Sequence, residues 1–407
     1  MHILFLTDNF PPEVNAPASR TFEHCREWVK AGAQVTVITC APNFPKGKVF
    51  DGYHNRLWQS EVLEDIRVIR VWSYITANEG FLKRSLDYLS FLPPAVLASL
   101  FVRDVDVVVG TSPQFFTACS AYLVGALKRI PYVFELRDIW PESIKAVGAM
   151  KDSLIIRILE AIELFLYRKA ACIVSVTHSF RRILGSRGID VDKIHVVTNG
   201  VDSSRFQHQP KDQELETRLG LKGRFVAGYV GTHGMAHGLE TILQAAQIAQ
   251  SKEEPISFIL LGDGARKQPL KEMAQSMGLG NVLFIDSVPK SEVSRYWSLL
   301  DVSVIHLKKT DLFTSVIPSK LFECMAMGIP VLHGVAGESA DIVEVESVGI
   351  VFEPENADAL YQGIQRLRQY SELYGRLHAN CLTAAGKYDR KTLALSMLDV
   401  LTRLTRR

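Results

Sequence analysis

The stretch "PSKLFECMAMG" (318–328) sets Lys320 and Glu323 three residues apart inside a run that is otherwise apolar. Pro318 suits the first position of a helix and Gly328 its end. The amides around Ser319–Leu321 are then expected to be free for an anion, with Lys320 beside them. Glu323, about one turn in, is placed to accept two hydrogen bonds from vicinal hydroxyls. A solvent-facing ion pair with Lys320 would explain the same spacing, so the surroundings must decide.

Two more segments of the same half have the makings of an anion site. "YVGTHGMAHGLETIL" (229–243) reads as strand, glycine-rich turn and helix, with Gly231, Gly234 and Gly238 in the turn and His233 and His237 as donors. "ILLGDGARKQPLKEMA" (259–274) repeats the plan with Gly262-Asp263-Gly264 followed by Arg266 and Lys267. Glycine lets backbone approach a ligand closely, and the first amides of the following helix can hold phosphate. One such turn is an ordinary tight turn. Two in one domain, each followed by cations, point to a diphosphate.

The first half carries its polar residues after strands too. Asp8, Asn9, Glu13 and Asn15 follow the first strand, Thr111 and Ser112 follow "VDVVVGT", and Arg137, Asp138, Trp140 and Glu142 follow "YVFEL". Two acids, an arginine and a tryptophan at one strand end favour a site over a structural turn at Pro141.

These residues need a frame to hold them. Short β-branched runs alternate with helix-length stretches along both halves: 2–7, 34–40, 66–72, 105–111, 132–136, 172–177 and 194–200, then 225–231, 256–262, 281–286, 302–307, 329–334 and 349–353. Continuous apolar strands with helices between them imply parallel sheets covered on both faces. At 407 residues the chain suits two such domains. We place their bounds at 1–197 and 205–387, with a helix over about 388–407 packing back on the first. In open parallel sheets, ligands bind beyond the carboxyl ends of the strands, where these motifs lie.

Hydrophobic content of 47% and a net charge of +2 fit a globular protein and give no reason to expect a nucleic-acid partner. Six scattered cysteines without a Cys-x-x-Cys suit a reducing compartment. The amino terminus lacks the pattern of a signal peptide, and a cytoplasmic location is expected. The segment 80–104 is apolar and flanked by Lys83, Arg84 and Arg103. Asp87 and a break at Pro93-Pro94 argue against a membrane span. Contact with the inner face of the cytoplasmic membrane and burial in the first domain are both open readings.

Taken in order, "VTNGVDSSRF", "VGTHGMAHGLETIL", "LLGDG" and "PSKLFECMAMGIPVL" resemble the family 4 retaining glycosyltransferases over nearly the whole chain. With "DNFPPE" and "RDIWPES" the likeness is to bacterial O-antigen and capsule enzymes, most of all N-acetylfucosamine transferases. The resemblance implies the α/β GT-B fold, two Rossmann-like parallel-sheet domains facing a central cleft. It further implies a UDP-sugar donor, a polyprenyl-diphosphate-linked sugar acceptor, and no cofactor or metal.

In that likeness Glu323 is the second glutamate of the E-x7-E motif and holds the nucleotide ribose. Gly231, His233, His237, Gly262, Asp263, Gly264, Arg266, Ser319, Lys320 and Leu321 border the nucleotide. Asn9, Glu13 and Asn15 face the acceptor, and Arg137, Asp138 and Glu142 serve the chemistry. Three positions depart from the pattern. Ser315 stands where the first glutamate is expected, Arg137 stands where a histidine is common, and "PPEVNAPASR" replaces paired glycines. His233 and His237 fall near the family's phosphate-binding Arg and Lys, so Lys320 and Arg266 are the expected substitutes. A sugar-nucleotide 2-epimerase and a non-catalytic binding subunit are the competing readings.

Overall fold

In the computed structural model, residues 1–13, 15–44, 46–76, 81–139, 154–289 and 291–406 are described. Trp140 and Glu142 therefore lie outside the described residues. The chain forms two compact units, residues 1–199 with 390–407, and residues 200–389.

The first unit is built from β1 (His2–Leu6), α1 (Ala16–Lys30), β2 (Gln34–Cys40), β3 (Gln59–Leu63), β4 (Ile66–Val71), α2 (Phe81–Leu100), β5 (Val107–Thr111) and α3 (Phe115–Lys128). It continues with β6 (Tyr132–Leu136), α4 (Leu154–Lys169), β7 (Cys172–Ser175), α5 (His178–Ser186) and β8 (Ile194–Val196). Among the described residues its sheet has the order β3-β4-β2-β1-β5-β6-β7-β8. Ile3, Phe5, Val107, Val109 and Val133 are fully buried, as strands covered on both faces must be.

Two expectations need correction. The sheet is not wholly parallel: β3 runs antiparallel to β4. "QSEVL" escapes a search for apolar runs because it is an edge strand with alternate residues exposed. The signal that could have found it is Glu64-Asp65, both at positive φ (47° and 63°), a two-residue hairpin turn matched to strand twist. Nor do Pro93 and Pro94 break the apolar segment; both lie inside α2. Phe91, Ala95 and Ala98 of that helix pack into one core with Phe115, Ala118 and Ala121 of α3, and this burial holds the helix through its missing donors.

The second unit comprises α6 (Gln213–Arg218), β9 (Phe225–Val230), α7 (Glu240–Ser251), β10 (Ile256–Leu261), α8 (Lys267–Ser276), β11 (Val282–Ile285), α9 (Val293–Trp297) and β12 (Val302–His306). After them come α10 (Lys320–Met327), β13 (Val331–Gly334), α11 (Glu338–Glu346), β14 (Gly349–Val351), α12 (Ala357–Gln369) and α13 (Ser371–Ala385). Its sheet order is β11-β10-β9-β12-β13-β14, every pairing parallel. The order reverses between β9 and β12, so the loops after these strands flank the switch point where ligands gather.

The last helix, α14 (Arg390–Thr405), belongs to the first unit. Ala394, Met397 and Leu401 are fully buried beside Ile3, Phe5 and Trp28, and the Trp28 indole donates to the Ala394 carbonyl at 2.7 Å.

Candidate functional site

In the second unit the loops after β9 and β10 fold onto each other backbone to backbone. Gly231 N donates to Leu261 O at 2.9 Å, His233 N to Asp263 O at 2.8 Å, and Arg266 N to His233 O at 2.9 Å. A Cβ on Gly262 would stand 1.9 Å from the Gly231 carbonyl oxygen, and one on Gly264 would stand 2.5 Å from that of His233. Their φ angles of 145° and 149° also require glycine. Both glycines are thus explained by turn-on-turn packing. Asp263 completes the second turn by accepting the Gly264 amide at 2.8 Å.

Gly231 is different. A Cβ there would meet no backbone first, but the Lys320 ammonium, at 2.8 Å. Lys320 Nζ lies 3.8 Å from the centroid of the Tyr229 ring, over its face. Among the described residues no carboxylate comes within ion-pair distance of it. Burial pushes its pKa down to about 8, while Glu323 on the same helix pulls it back up. The first glycine turn therefore carries a cation after all, lent by the start of α10.

His233 is fully buried, and neither ring nitrogen has a hydrogen-bond partner among the described residues. Burial, then the nearby Lys267, pushes its pKa down to about 4, so the ring is neutral. His237 is brought to about 4 by burial and then by Lys320, and its Nδ1 also lacks a partner among the described residues. Both rings sit about Tyr229, with centroids 6.0 and 5.9 Å from it. Neutral imidazoles can donate to phosphate oxygens without adding charge. His306 Nδ1 lies 2.7 Å from the His237 carbonyl oxygen and fixes the turn from below.

The structure separates the other candidates. Arg266 does not stand ready for an anion: its guanidinium pairs with Glu240 at the start of α7. Lys267 is buried and donates to the Gly262 carbonyl at 2.7 Å and to Asp286. The Leu321 amide already donates to Pro318 O at 3.0 Å, so the open amides are fewer than expected. Ser319 precedes α10 without a capping hydrogen bond from its side chain, and Glu323 lies half-buried in its first turn. Ser315 ends the 3₁₀ turn Asp311–Ser315, which seats against Gly337, where a Cβ would stand 2.0 Å from Thr314 O.

In the first unit, Asn15 caps α1 by accepting the Ala18 amide at 2.8 Å and donates to Asn9 Oδ1 at 2.7 Å. Asn9 in turn donates to Asp8 Oδ2 at 3.3 Å. Burial pushes the Asp8 carboxyl up to about 8, with Asp87 and Glu13 adding to it. Glu13 Oε1 accepts the amides of Asn43 and Phe44, both at 2.8 Å, so this carboxylate clasps a loop. Ser112 Oγ accepts the amides of Arg137 and Asp138 at 2.8 and 3.1 Å and fixes the loop after β6. The Arg137 guanidinium is pushed down to about 10 by burial, against the pull of Glu135.

Arg20 and Glu135 went unnoticed in the sequence. They form a buried ion pair at 3.1 Å, and Arg20 also donates to the carbonyls of Val197 and Thr198 at 2.9 and 2.8 Å. Burial alone would raise the Glu135 carboxyl, but Arg20 and Arg137 hold it below its ordinary value. The available signal was an acid in the apolar strand "YVFEL", the same anomaly that Glu323 presents in α10. In each of the chain's two Asp-x-Asp spacings, 104–106 and 190–192, one carboxylate serves the fold. Asp106 accepts the His2 amide at 2.7 Å, and Asp190 accepts the Asp192 amide at 3.0 Å.

Two family models match in tandem, Glycosyl transferase 4-like domain over residues 15–200 and Glycosyl transferases group 1 over residues 211–381. WcaI of Escherichia coli K12, which bears the name of a colanic acid biosynthesis glycosyl transferase, is 26% identical over 381 residues, covering 90% of this chain and 92% of that one. Sucrose-phosphate synthase from Thermosynechococcus elongatus superposes with a TM-score of 0.73 at 16% identity, over 99% of this chain and 98% of that one. HepE from Anabaena in complex with UDP gives 0.72 at 16% identity, over 99% and 100%. These likenesses confirm the two-domain GT-B fold.

Proposed function

Since the chain belongs to the group 1 glycosyltransferases, with a glycosyl transferase 4-like domain ahead of the group 1 domain, we propose that it transfers a sugar from UDP to a lipid-linked saccharide in polysaccharide synthesis. The observation that carries the reading is the Lys320 ammonium over Gly231, a cation without a carboxylate at ion-pair distance among the described residues, at the turn where a diphosphate would lie. The UDP complex of HepE supports the nucleotide, and the colanic acid name of WcaI supports the pathway class. The N-acetylfucosamine type of donor rests on the likeness of "DNFPPE" and "RDIWPES".

Departure of a nucleoside diphosphate builds negative charge on its oxygens, and pre-placed donors lower that barrier most. Lys320 supplies the charge, neutral His233 and His237 supply donors, and Glu323 accepts the ribose hydroxyls. Asp138 and Glu142 orient the acceptor hydroxyl or stabilise positive charge on the sugar, with Arg137 and the Asn9–Asn15 pair steadying the acceptor side. The leaving phosphate takes up the acceptor proton, so attack comes from its own face and configuration is retained. The reaction as proposed asks for no cofactor or divalent ion.

The test is nucleotide release from UDP-, GDP- and dTDP-sugars, with and without a polyprenyl-diphosphate-linked sugar. Acceptor-dependent release of UDP, lost in Glu323→Ala, and a product of unchanged anomeric configuration are expected. An altered UDP-sugar formed without acceptor would establish the epimerase instead. Tight UDP binding with no turnover would leave a binding subunit.

A further inference from the structure

Helix α2 is apolar on both faces, whereas a surface helix of a globular domain needs only one apolar stripe. Its inner side is satisfied by the α3 core. Among its described side chains, from residue 86 on, the exposed positions are Leu86, Leu89, Pro93, Leu97 and Leu100, all apolar, and Phe101 follows them at 68% exposure. Its neighbours expose apolar side chains as well. On α3, which packs against α2, Leu123 and Leu127 are exposed. On α4, which packs against α3, the exposed stripe is Ile155, Ile158, Ile162 and Phe165. The Tyr122 and Phe165 rings, 5.1 Å apart, join the last two helices. An apolar surface continuous over three adjacent helices marks an interaction site, not scattered exposure.

The exposed charges about this surface are mostly of one sign. Arg103 and Arg129 close α2 and α3, and Arg157, Arg168 and Lys169 flank the stripe of α4. Lys169 Nζ stands 5.9 Å from the Phe165 ring. Against them are Asp104 and Asp106, the second already engaged by the His2 amide. Glu163 is buried on the inner side of α4 with Tyr167 and Arg187. Among the described residues no helix is long and apolar enough to cross a membrane.

We propose that the α2–α3–α4 face of the first unit docks on an anionic bilayer, its leucines and isoleucines entering the acyl boundary and its cations meeting lipid phosphates. A second copy of the chain fits less well. A two-fold contact would bring this basic rim against itself with few acids to pair it. The proposal does not depend on the transfer reading, because binding to vesicles needs no substrate.

The experiment is co-sedimentation of the full chain with vesicles of phosphatidylcholine alone and of phosphatidylcholine mixed with phosphatidylglycerol. Binding is expected to favour the anionic vesicles and to weaken by about tenfold or more in Leu97→Glu/Ile158→Glu and in Arg157→Glu/Arg168→Glu. All four side chains are exposed, so thermal unfolding should be unchanged, and this checks that the variants fold. Absence of vesicle binding, or binding unaffected by both variants, would overturn the proposal. A concentration-dependent dimer without vesicles, dissolved by Leu97→Glu/Ile158→Glu, would assign the face to a second copy and overturn it equally.

Discussion

The two units each hold cationic side chains in low-exposure surroundings, but they treat them in opposite ways. In the first, Arg20 meets Glu135 and two carbonyl groups, Arg137 is drawn toward the same glutamate, and Glu23 pairs with Arg390. In the second, Lys320 faces an aromatic ring and a glycine. A buried charge that finds its counter-charge inside the fold is part of the scaffold. One held beside glycine backbone and two neutral histidines keeps its charge for something from outside. The same contrast recurs within the second unit, where Arg266 and Lys267 follow a glycine turn yet are paired with Glu240 and Asp286. Position after a glycine turn does not identify a ligand cation; its partner does.

The comparison is broken most forcefully at the paired end. Arg20→Met leaves Glu135 buried without its cation and frees the Val197 and Thr198 carbonyls, so stability should fall by about 3–5 kcal/mol. Arg20→Met/Glu135→Leu should recover most of that loss, since two apolar side chains need no counter-charge. Chemical denaturation of both variants measures it. A double variant no more stable than the single would show that the pair does more than neutralise itself.

At the unpaired end the expected loss is catalytic. Lys320→Met should lower kcat/KM by about 10²- to 10³-fold, the range for removing one transition-state donor, with unfolding little changed. The pH dependence carries a sign. The free ammonium titrates at about 8 and an anionic diphosphate prefers the protonated form. Nucleotide affinity should therefore be level below pH 8 and fall by up to about tenfold per pH unit above it. Lys320→Arg should remove that inflection. An affinity independent of pH from 7 to about 10 in the parent chain would separate Lys320 from the nucleotide.

How much of this was visible in the sequence follows from the same distinction. Strands and helices were legible because apolar runs repeat with the period of the element, and among the described strands only β3 was missed, where exposure interrupts the run. The glycine turns were legible as turns, but Gly262 and Gly264 are required by the carbonyls they pack on, contacts made across a loop. Lys320 and Arg266 looked equivalent because a sequence shows a cation and not its partner. Arg20 and Glu135 are 115 residues apart and meet only once α1 lies on the sheet. Glu13 looked like a ligand group because its two backbone donors lie 30 and 31 residues ahead, in a loop without a pattern.

The histidines offer a smaller test. His233 and His333 are fully buried, with pKa values pushed down to about 4 and about 3, in both cases first by burial. The unfolded chain binds their protons near 6.5, the folded chain only below those values. The stability they contribute is fully present above pH 6.5 and is lost as pH falls toward 4, on the order of 3 kcal/mol for each. Denaturation midpoints between pH 7 and about 4 measure it, and His333→Phe should flatten the slope. An unchanged slope would mean that the ring gains a partner when it takes up a proton.

The smallest effect sharpens the comparison most. Arg266 and Lys320 are both cations near glycine turns, and only pairing separates them. Arg266→Met removes an ion pair between partly exposed side chains, so stability should change by less than about 1 kcal/mol and nucleotide affinity by less than about threefold. Glu240→Gln asks the converse question by releasing the guanidinium. If the diphosphate lies at Gly231, a released Arg266 gains little, because the two turns are held together by backbone and Arg266 starts the helix after the second. If Glu240→Gln strengthened nucleotide binding tenfold while Arg266→Met abolished it, the anion would belong to the second turn, and Lys320 would have to be explained by Tyr229 alone.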